Sequence, residues 1–542
     1  MANVLYEESY IQAIANAIRG KTGNTDKMLV SEMADEINGM LETDYGPLLS
    51  RTATSIASNV KEVASCAAYS YDELTELNLP LVETIGSYAF YGCFSLTTLN
   101  IPSVTNIGDY TFHRCNSITT LDLPLLTSMG VNAFEQCIAL TEVYLPSVTS
   151  IGTESFRNCS ALTTLNLPSV TSIGDNAFYN CSSLTALDLP LVETVSNGAF
   201  YTCDGLTTLN LPSVTNIDTS AFRKCIALSE LNLPLVTSIG DYAFNPSSAL
   251  IELNLPSVTS IGTEAFYGCD KLTTLNLPSV VSIGANAFNS PSVLTEINLP
   301  LVETVSEGAF HGCSSLTILD LPSVTSIGTE SFRNCSALTT LNLPSVTSIG
   351  GNAFYNCSSL TALDLPLVET IDEYAFDNCS NLTTLDLPSV ETIGNGAFHS
   401  QSGLTVLTTL NLPSVTNIGT ANFNSITNLT TLCLPLVKSI NARCFNSCAN
   451  LITVDLPSIT NIGYDSFKNC DNIEVIILRN SDTVCSIGTD VFYTSVSAVN
   501  KKYLYVPSTM VDLYKEHHKW PSIVNEIRAI EDYPDICGTI TE

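Results

Sequence analysis

The chain has 542 residues and a formal net charge of −33, although only 13% of its residues are charged, because lysine and arginine together number just 20. Nucleic acids and anionic membranes both demand basic surface, so this balance argues against either as a partner. It fits an acidic, soluble surface rich in Thr, Ser and Asn.

The opening stretch, MANVLYEESY, carries two glutamates and lacks the basic-then-apolar pattern of a secretory signal. No later stretch is apolar for the length of a membrane span, so the expectation is a soluble product of a cytoplasm without membrane insertion. Residues 1–45 are predicted to form a helical attachment module of two short helices. Ile11, Ile14 and Ile18 make one apolar stripe, and Met33, Ile37 and Leu41 make another beyond Ser31, an N-cap residue type. The joining GKTG at Gly20 to Gly23 is not a phosphate loop: Ala15 stands where its first glycine should be, and no strand precedes it.

Residues 46–500 are predicted to be a solenoid. Residues 46–70 lead into a worn first coil with Ala68 in the phenylalanine slot, and the repeat then declares itself through proline. Pro80, Pro102, Pro124, Pro146 and Pro168 continue in steps of 22 to Pro388, and Pro413, Pro435 and Pro457 follow one coil stretched at His399 to Thr409. Eighteen units share this phase, and a nineteenth has Arg479 in the proline slot. A fixed period with leucines at set offsets marks coils that cannot bury their apolar faces alone and must stack, giving one elongated array.

Within the unit from Leu74 to Leu96, the apolar slots are Leu74, Leu77, Leu79, Val82, Ile85, Ala89, Phe90, Cys93 and Leu96. The L-x-L-P step alternates as a strand does and ends at proline, so strands of successive coils should pair in parallel. A glycine follows the isoleucine slot in thirteen of the eighteen units, and Ser196, Asp218, Ser306, Asp372 and Asn441 take its place in the others. These residue types suggest a turn with positive φ. Phenylalanine fills one slot in all eighteen units, from Phe90 to Phe467, which predicts a continuous aromatic ladder in the core.

Fourteen of the 19 cysteines share a single slot, as in Cys93, Cys115, Cys137 and Cys159. Neighbouring rungs lie within bridging distance. The odd total, the tolerance of Ser247, Pro291, Gln401 and Ile426 in that slot, and the absent signal favour buried free thiols. No histidine joins the ladder, no C-x-x-C pair occurs and no D-x-D-x-D-G loop is present, so neither a zinc nor a calcium site is indicated.

The pattern L-x-x-L-x-L-P-x-V-x-x-I-G-x-x-A-F-x-x-C, as in Leu162 to Cys181, resembles the BspA-like leucine-rich repeats known from bacterial and protist surface proteins. The resemblance implies an α/β repeat, a leucine-rich-repeat solenoid of 22-residue units in about 19–20 coils, with a short N-terminal helical module and a C-terminal cap. It says little of the ligand. The first segment, YIQAIANAIRGKTGNTDKMLVSEMADEINGM, resembles the small N-terminal modules of phage and prophage tail-associated proteins of Gram-positive gut bacteria. That resemblance implies attachment to phage particle proteins through residues 1–45, with possible homo-oligomer formation, and a virion location. The alternatives are a cell-surface, extracellular BspA-like adhesin of a bacterium or protist, and a structural decoration without ligand.

Residues 501–542 are predicted to form the cap, which resembles the closing cap of BspA-like proteins. YLYVP (Tyr503 to Pro507) should give a last strand, and STMVDLYKEHHKW (Ser508 to Trp520) an amphipathic helix capped by Ser508. His517 and His518 are adjacent and so do not share a helix face.

Catalysis needs unlike groups converging at one place, and a repeat spreads like groups along a line. No catalytic set, cofactor site or metal site is indicated, and the expectation is a non-enzymatic recognition or adhesion protein. Leu145 to Thr194 and Leu321 to Thr370 are identical except for Asp175 against Gly351, an offset of 176 residues or eight periods. Such copying suits a binding surface better than an active site. The candidate binding residues occupy the slot after the ladder phenylalanine, expected to point outward: Tyr91, His113, Arg157, Tyr179, Tyr201, Arg223, Tyr267, His311, Arg333, Tyr355 and His399, with Glu135, Asn245, Asn289 and Asp377 between them. Tyrosine, arginine and histidine combine contact area with hydrogen bonding, as recognition surfaces do; the plainer alternative is that tyrosine covers the edge of the phenylalanine ladder and arginine offsets local acidity. A bacterial surface protein or glycan is the expected partner. The outward strand slots, including Thr98, Thr164, Asn166, Asp188 and Asn254, offer a plainer hydrogen-bonding lattice.

Overall fold

A computed structural model describes residues 54–494 and 501–537. The proposed helices of residues 1–45, with the GKTG stretch, lie outside the described residues. The chain divides into two compact units, Met1–Ala249 and Leu250–Glu542.

Each unit is a parallel β-solenoid. In the first, every coil contributes a three-residue strand, such as Glu76–Asn78 or Thr98–Asn100, and then a two-residue strand, such as Thr84–Ile85 or Asn106–Ile107. Partners lie one period apart, with Glu76 opposite Thr98 and Thr84 opposite Asn106. Alternation sets the burial: Leu121 points inward between exposed Thr120 and Asp122. The rest of each coil is built of turns. Among the described residues, helix occurs only in the cap.

The second unit repeats this plan from Glu252–Asn254 to Val475–Ile477. Its last sheet then takes in Tyr503–Val506 and Glu526–Ala529, both in parallel register. The strand expected at Tyr503 is present, whereas the strand at Glu526 carried no repeat signal to betray it. Two strand sets, one per face of the coil, leave the space between them to the apolar slots.

Phenylalanine fills that space. From Phe90 to Phe244 the rings stack at 5.2–5.6 Å between centroids, with planes within 11° of parallel. In the second unit the rings stack from Phe266 to Phe492 at similar spacing, with planes up to 17° apart around Phe423. Trp520 closes that stack, 6.1 Å from Phe492, with its indole N–H donating to the Cys485 carbonyl at 2.9 Å. A stack of this kind has one open face at its end, and a large indole with a satisfied polar atom covers it.

The cysteine slot is explained by a hydrogen bond. Most thiols of the slot donate to the backbone carbonyl in the phenylalanine slot of the preceding coil: Cys93 to Ala68, Cys115 to Phe90, Cys181 to Phe156, at 3.2–3.3 Å. Cysteine is small and apolar enough to be fully buried and still carries a weak donor. The 18 cysteines so described are all free. Burial pushes the thiols of Cys93, Cys137 and Cys203 up to about 12 from an ordinary 9.0.

Glycine in the isoleucine-glycine step has a different cause from the one expected. Positive φ falls elsewhere, for example at Tyr88 (59°) and Asn158 (62°). A Cβ on Gly108 would instead stand 2.5 Å from the Ser87 backbone nitrogen of the coil before. Close approach of stacked backbones, not a left-handed turn, therefore selects glycine there.

In the cap, Ser508 begins a 3-10 turn, Ser508–Met510, followed by a helix only six residues long, Val511–Glu516. Ser508 does not cap it. Its backbone N–H (2.9 Å) and hydroxyl (3.3 Å) both donate to the Glu531 carboxylate, so the hydroxyl is spent on the incoming chain. The helix stops before the two histidines, and a second short helix, Trp520–Ile523, follows. Arg479, in the proline slot of the nineteenth unit, pairs with the buried Asp455 carboxylate at 2.7 Å.

Candidate recognition surface

The slot after the ladder phenylalanine lies on the turn side of the coil. Backbone bonds fix it: Tyr91 N–H donates to the Tyr88 carbonyl, and Phe90 N–H to the Thr111 carbonyl of the next coil at 2.9 Å. Because that framework repeats every coil, side chains in the slot meet their counterparts one coil away.

In the first unit they stack. Tyr91 lies 4.7 Å from Tyr69 and 4.6 Å from His113, nearly parallel to both. His113 is buried, its Nδ1 3.3 Å from the Glu135 carboxylate. Burial alone would raise Glu135, but His113 and Asn132 beside it outweigh burial and hold the carboxyl below its ordinary 4.5. Arg157 pairs with Glu154 at 3.1 Å and lies over the Tyr179 ring at 5.0 Å. Tyr179 stacks on Tyr201 at 4.9 Å. Arg223 lies 5.8 Å from the Tyr201 ring and 4.8 Å from that of Tyr242.

In the second unit the row is more varied. Tyr267 is 40% exposed, whereas most of the row is half-buried. His311 Nδ1 lies 3.2 Å from the Asn289 oxygen and its Nε2 3.3 Å from the Asn334 amide, and burial holds its pKa below the usual 6.5. Arg333 pairs with Glu330 at 2.6 Å and covers Tyr355 at 4.6 Å. His399 meets Asp377 at 3.0 Å, and there burial outweighs the histidine, so Asp377 stands above its ordinary 3.8. All eleven predicted residues therefore share one edge slot, as a packed border rather than a fringe of free side chains; the expected outward orientation fails at His113, which is buried against Glu135 and Tyr91.

A second row runs beside it, three residues earlier in each coil, and the sequence reading missed it. Tyr88 stacks on Tyr110 at 4.9 Å, Glu154 and Glu330 pair with the arginines, and Tyr242 receives Arg223. These residues sit at positive φ, 59° at Tyr88 and 55° at Glu154. Their three-residue spacing from the first row was the available signal.

On the strand face, Asn100 donates to Asn78, Asn210 to Asp188, and Asn276 to Asn254, at 2.7–2.8 Å. That lattice is therefore partly occupied with itself. Among the described residues, no group of three or more His, Cys, Asp or Glu is placed to hold a metal ion, and no helix is long and apolar enough to cross a membrane.

Comparison with known proteins gives a consistent family match. The family model described as "BspA type Leucine rich repeat region (6 copies)" matches residues 49–163, 127–250, 215–323, 303–408 and 403–517. No curated protein matches the chain. Among solved structures, a leucine-rich repeat protein from Bacteroides ovatus is 27% identical, over 76% of this chain and 88% of its own, with a TM-score of 0.41. A leucine rich cell surface protein from Faecalibacterium prausnitzii is 26% identical, over 67% of this chain and 91% of its own, with a TM-score of 0.32.

Proposed function

From the premise that the chain belongs to the BspA-type leucine-rich-repeat family, we propose that it is a non-enzymatic adhesion protein that binds a bacterial surface component or its glycan through the edge row. The observation that carries this reading is the recurrence of half-buried Tyr, Arg and His in one slot of successive coils. Most are held half-exposed in a packed border, so they are preorganised and little side-chain freedom is lost on contact. Each contact is weak, and linked weak sites on a repetitive surface gain apparent affinity without any new contact. The protein acts outside the cell, as a surface adhesin. A second reading, a tail-associated phage protein, rests on the resemblance of residues 1–45 to attachment modules. Neighbouring tail or baseplate genes favour the phage reading, and anchoring or secretion genes the adhesin.

The test is binding to whole bacteria and to their extracted glycans. Replacing Tyr179, Tyr201 and Arg223 together with alanine is expected to weaken binding far more than any single change. Triple-variant binding equal to the parent's, with the fold retained, would remove the edge row from consideration and turn attention to the strand face.

A further inference from the structure

The fifty-residue duplication copies a surface as well as a sequence. In the first unit, Glu154 pairs with Arg157 at 3.1 Å, Arg157 covers Tyr179 at 5.0 Å, and the Asn180 amide donates to the Asn158 oxygen at 3.0 Å. In the second, Glu330 pairs with Arg333 at 2.6 Å, Arg333 covers Tyr355 at 4.6 Å, and the Asn356 amide donates to the Asn334 oxygen at 3.2 Å. The glutamate, arginine, tyrosine and two asparagines of one patch each have their counterpart in the other; around them Asp175 is replaced by Gly351, and in the second patch Asn334 also meets His311 and Tyr355 also meets Asn378.

We infer that the chain is bivalent: it carries two equivalent binding patches, one in each unit, for a neutral, hydroxyl-rich polysaccharide, which it can cross-link. This inference rests on the reading that the edge row binds. The chemistry follows from the groups present. Glutamate and arginine cancel each other's charge, and the chain as a whole is at −33, which disfavours an anionic ligand. The arginine covers one face of its tyrosine in both patches, and in the first patch Tyr201 stacks on the same ring. One ring face is therefore taken in each patch, and the patch works by hydrogen bonding rather than by stacking on a sugar; at Tyr355 the hydroxyl also accepts from the Asn378 amide at 3.5 Å. It offers donors from guanidinium, phenol and amide beside acceptors from carboxylate and amide oxygens. Sugar hydroxyls, which donate and accept at once, match that mixture. The flanks differ: Tyr179 is followed by Tyr201, but Tyr355 by Asp377, so the two affinities need not be equal.

The test uses the full chain, a neutral capsular polysaccharide of defined repeat, its single-repeat oligosaccharide, and heparin as an anionic control. Variants R157K/Y179F and R333K/Y355F keep size and stacking in each patch while removing the bidentate fork and the hydroxyl. Calorimetry should give two oligosaccharides per parent chain, one for either single-patch variant and none for the combination. Polymer cross-linking, read by light scattering, should vanish in each single-patch variant, and polymer affinity should fall on the order of 10²-fold. One oligosaccharide per parent chain, lost on changing the first patch and unmoved by changing the second, overturns bivalency and leaves the edge-row reading standing. A combined variant that binds as the parent does overturns both. No parental binding to the neutral polymer, or preference for heparin, overturns the ligand class.

Discussion

Phe200 and Tyr201 are consecutive in sequence and belong to two ladders that run through the same coils. The inner one is uniform: every rung from Phe90 to Phe244 is phenylalanine, fully buried, at nearly constant spacing. The outer one changes at almost every rung, as from Tyr91 to His113 to Glu135, yet its members still stack or pair with their neighbours. Enclosure explains the difference. An inner ring must fit a space of fixed shape on all sides, whereas an outer one needs only a partner above and below and is free at its tip. Variation is thus confined to where the packing tolerates it, which is also where a partner can reach.

The largest way to separate the ladders is alkaline pH. Buried thiols such as Cys93, Cys137 and Cys203 stay neutral to about 12 in the fold but ionise near 9.0 once exposed. A raised folded-state pKa contributes stability that is fully present below 9 and lost as pH rises towards 12, at about 1.4 kcal/mol per pH unit for each such thiol. Circular dichroism should show folding failing steeply over that window, and a flat response through pH 11 would contradict the thiol ladder. A smaller effect comes from Gly108→Ala, which drives a methyl into the Ser87 backbone. It should lower the melting temperature and speed amide exchange in the flanking coils; an unchanged melt would show that the coils can part without cost. Smaller again is Cys181→Ser, expected to cost about 1–3 kcal/mol in chemical unfolding by leaving a buried hydroxyl without a well-placed acceptor. Ser247 already occupies this slot naturally, and its hydroxyl is buried without a hydrogen-bond partner.

The inner ladder was legible in the sequence because each rung is a residue type at a fixed interval, and a 22-residue period is visible without any structure. The reasons behind individual rungs were less so. That Gly108 answers to Ser87, and Cys181 to the Phe156 carbonyl, depends on backbone atoms one coil away, and a carbonyl or an amide nitrogen leaves no letter in the sequence. The outer slot was legible by its variability, but its pairing was not. Arg157 finds Glu154 three residues back and Tyr179 one coil on, and only the coil geometry says that both are in reach. The cap gave least. Ser508 has the type and position of an N-cap residue, yet Glu531, which takes its hydrogen bonds, returns from later in the chain.

The most direct measurement sets Phe200→Ala against Tyr201→Ala, adjacent positions facing opposite ways, in hydrogen exchange of the flanking coils and in binding to bacterial glycans. Loss of the inner ring should cost about 3–5 kcal/mol of local stability. Loss of the outer one should cost about 1 kcal/mol, in line with a single aromatic pair, while weakening binding with the fold intact. Equal destabilisation by the two changes, or glycan binding that survives Tyr201→Ala undiminished, would contradict the division between a ladder that holds the coils and a ladder that meets the partner.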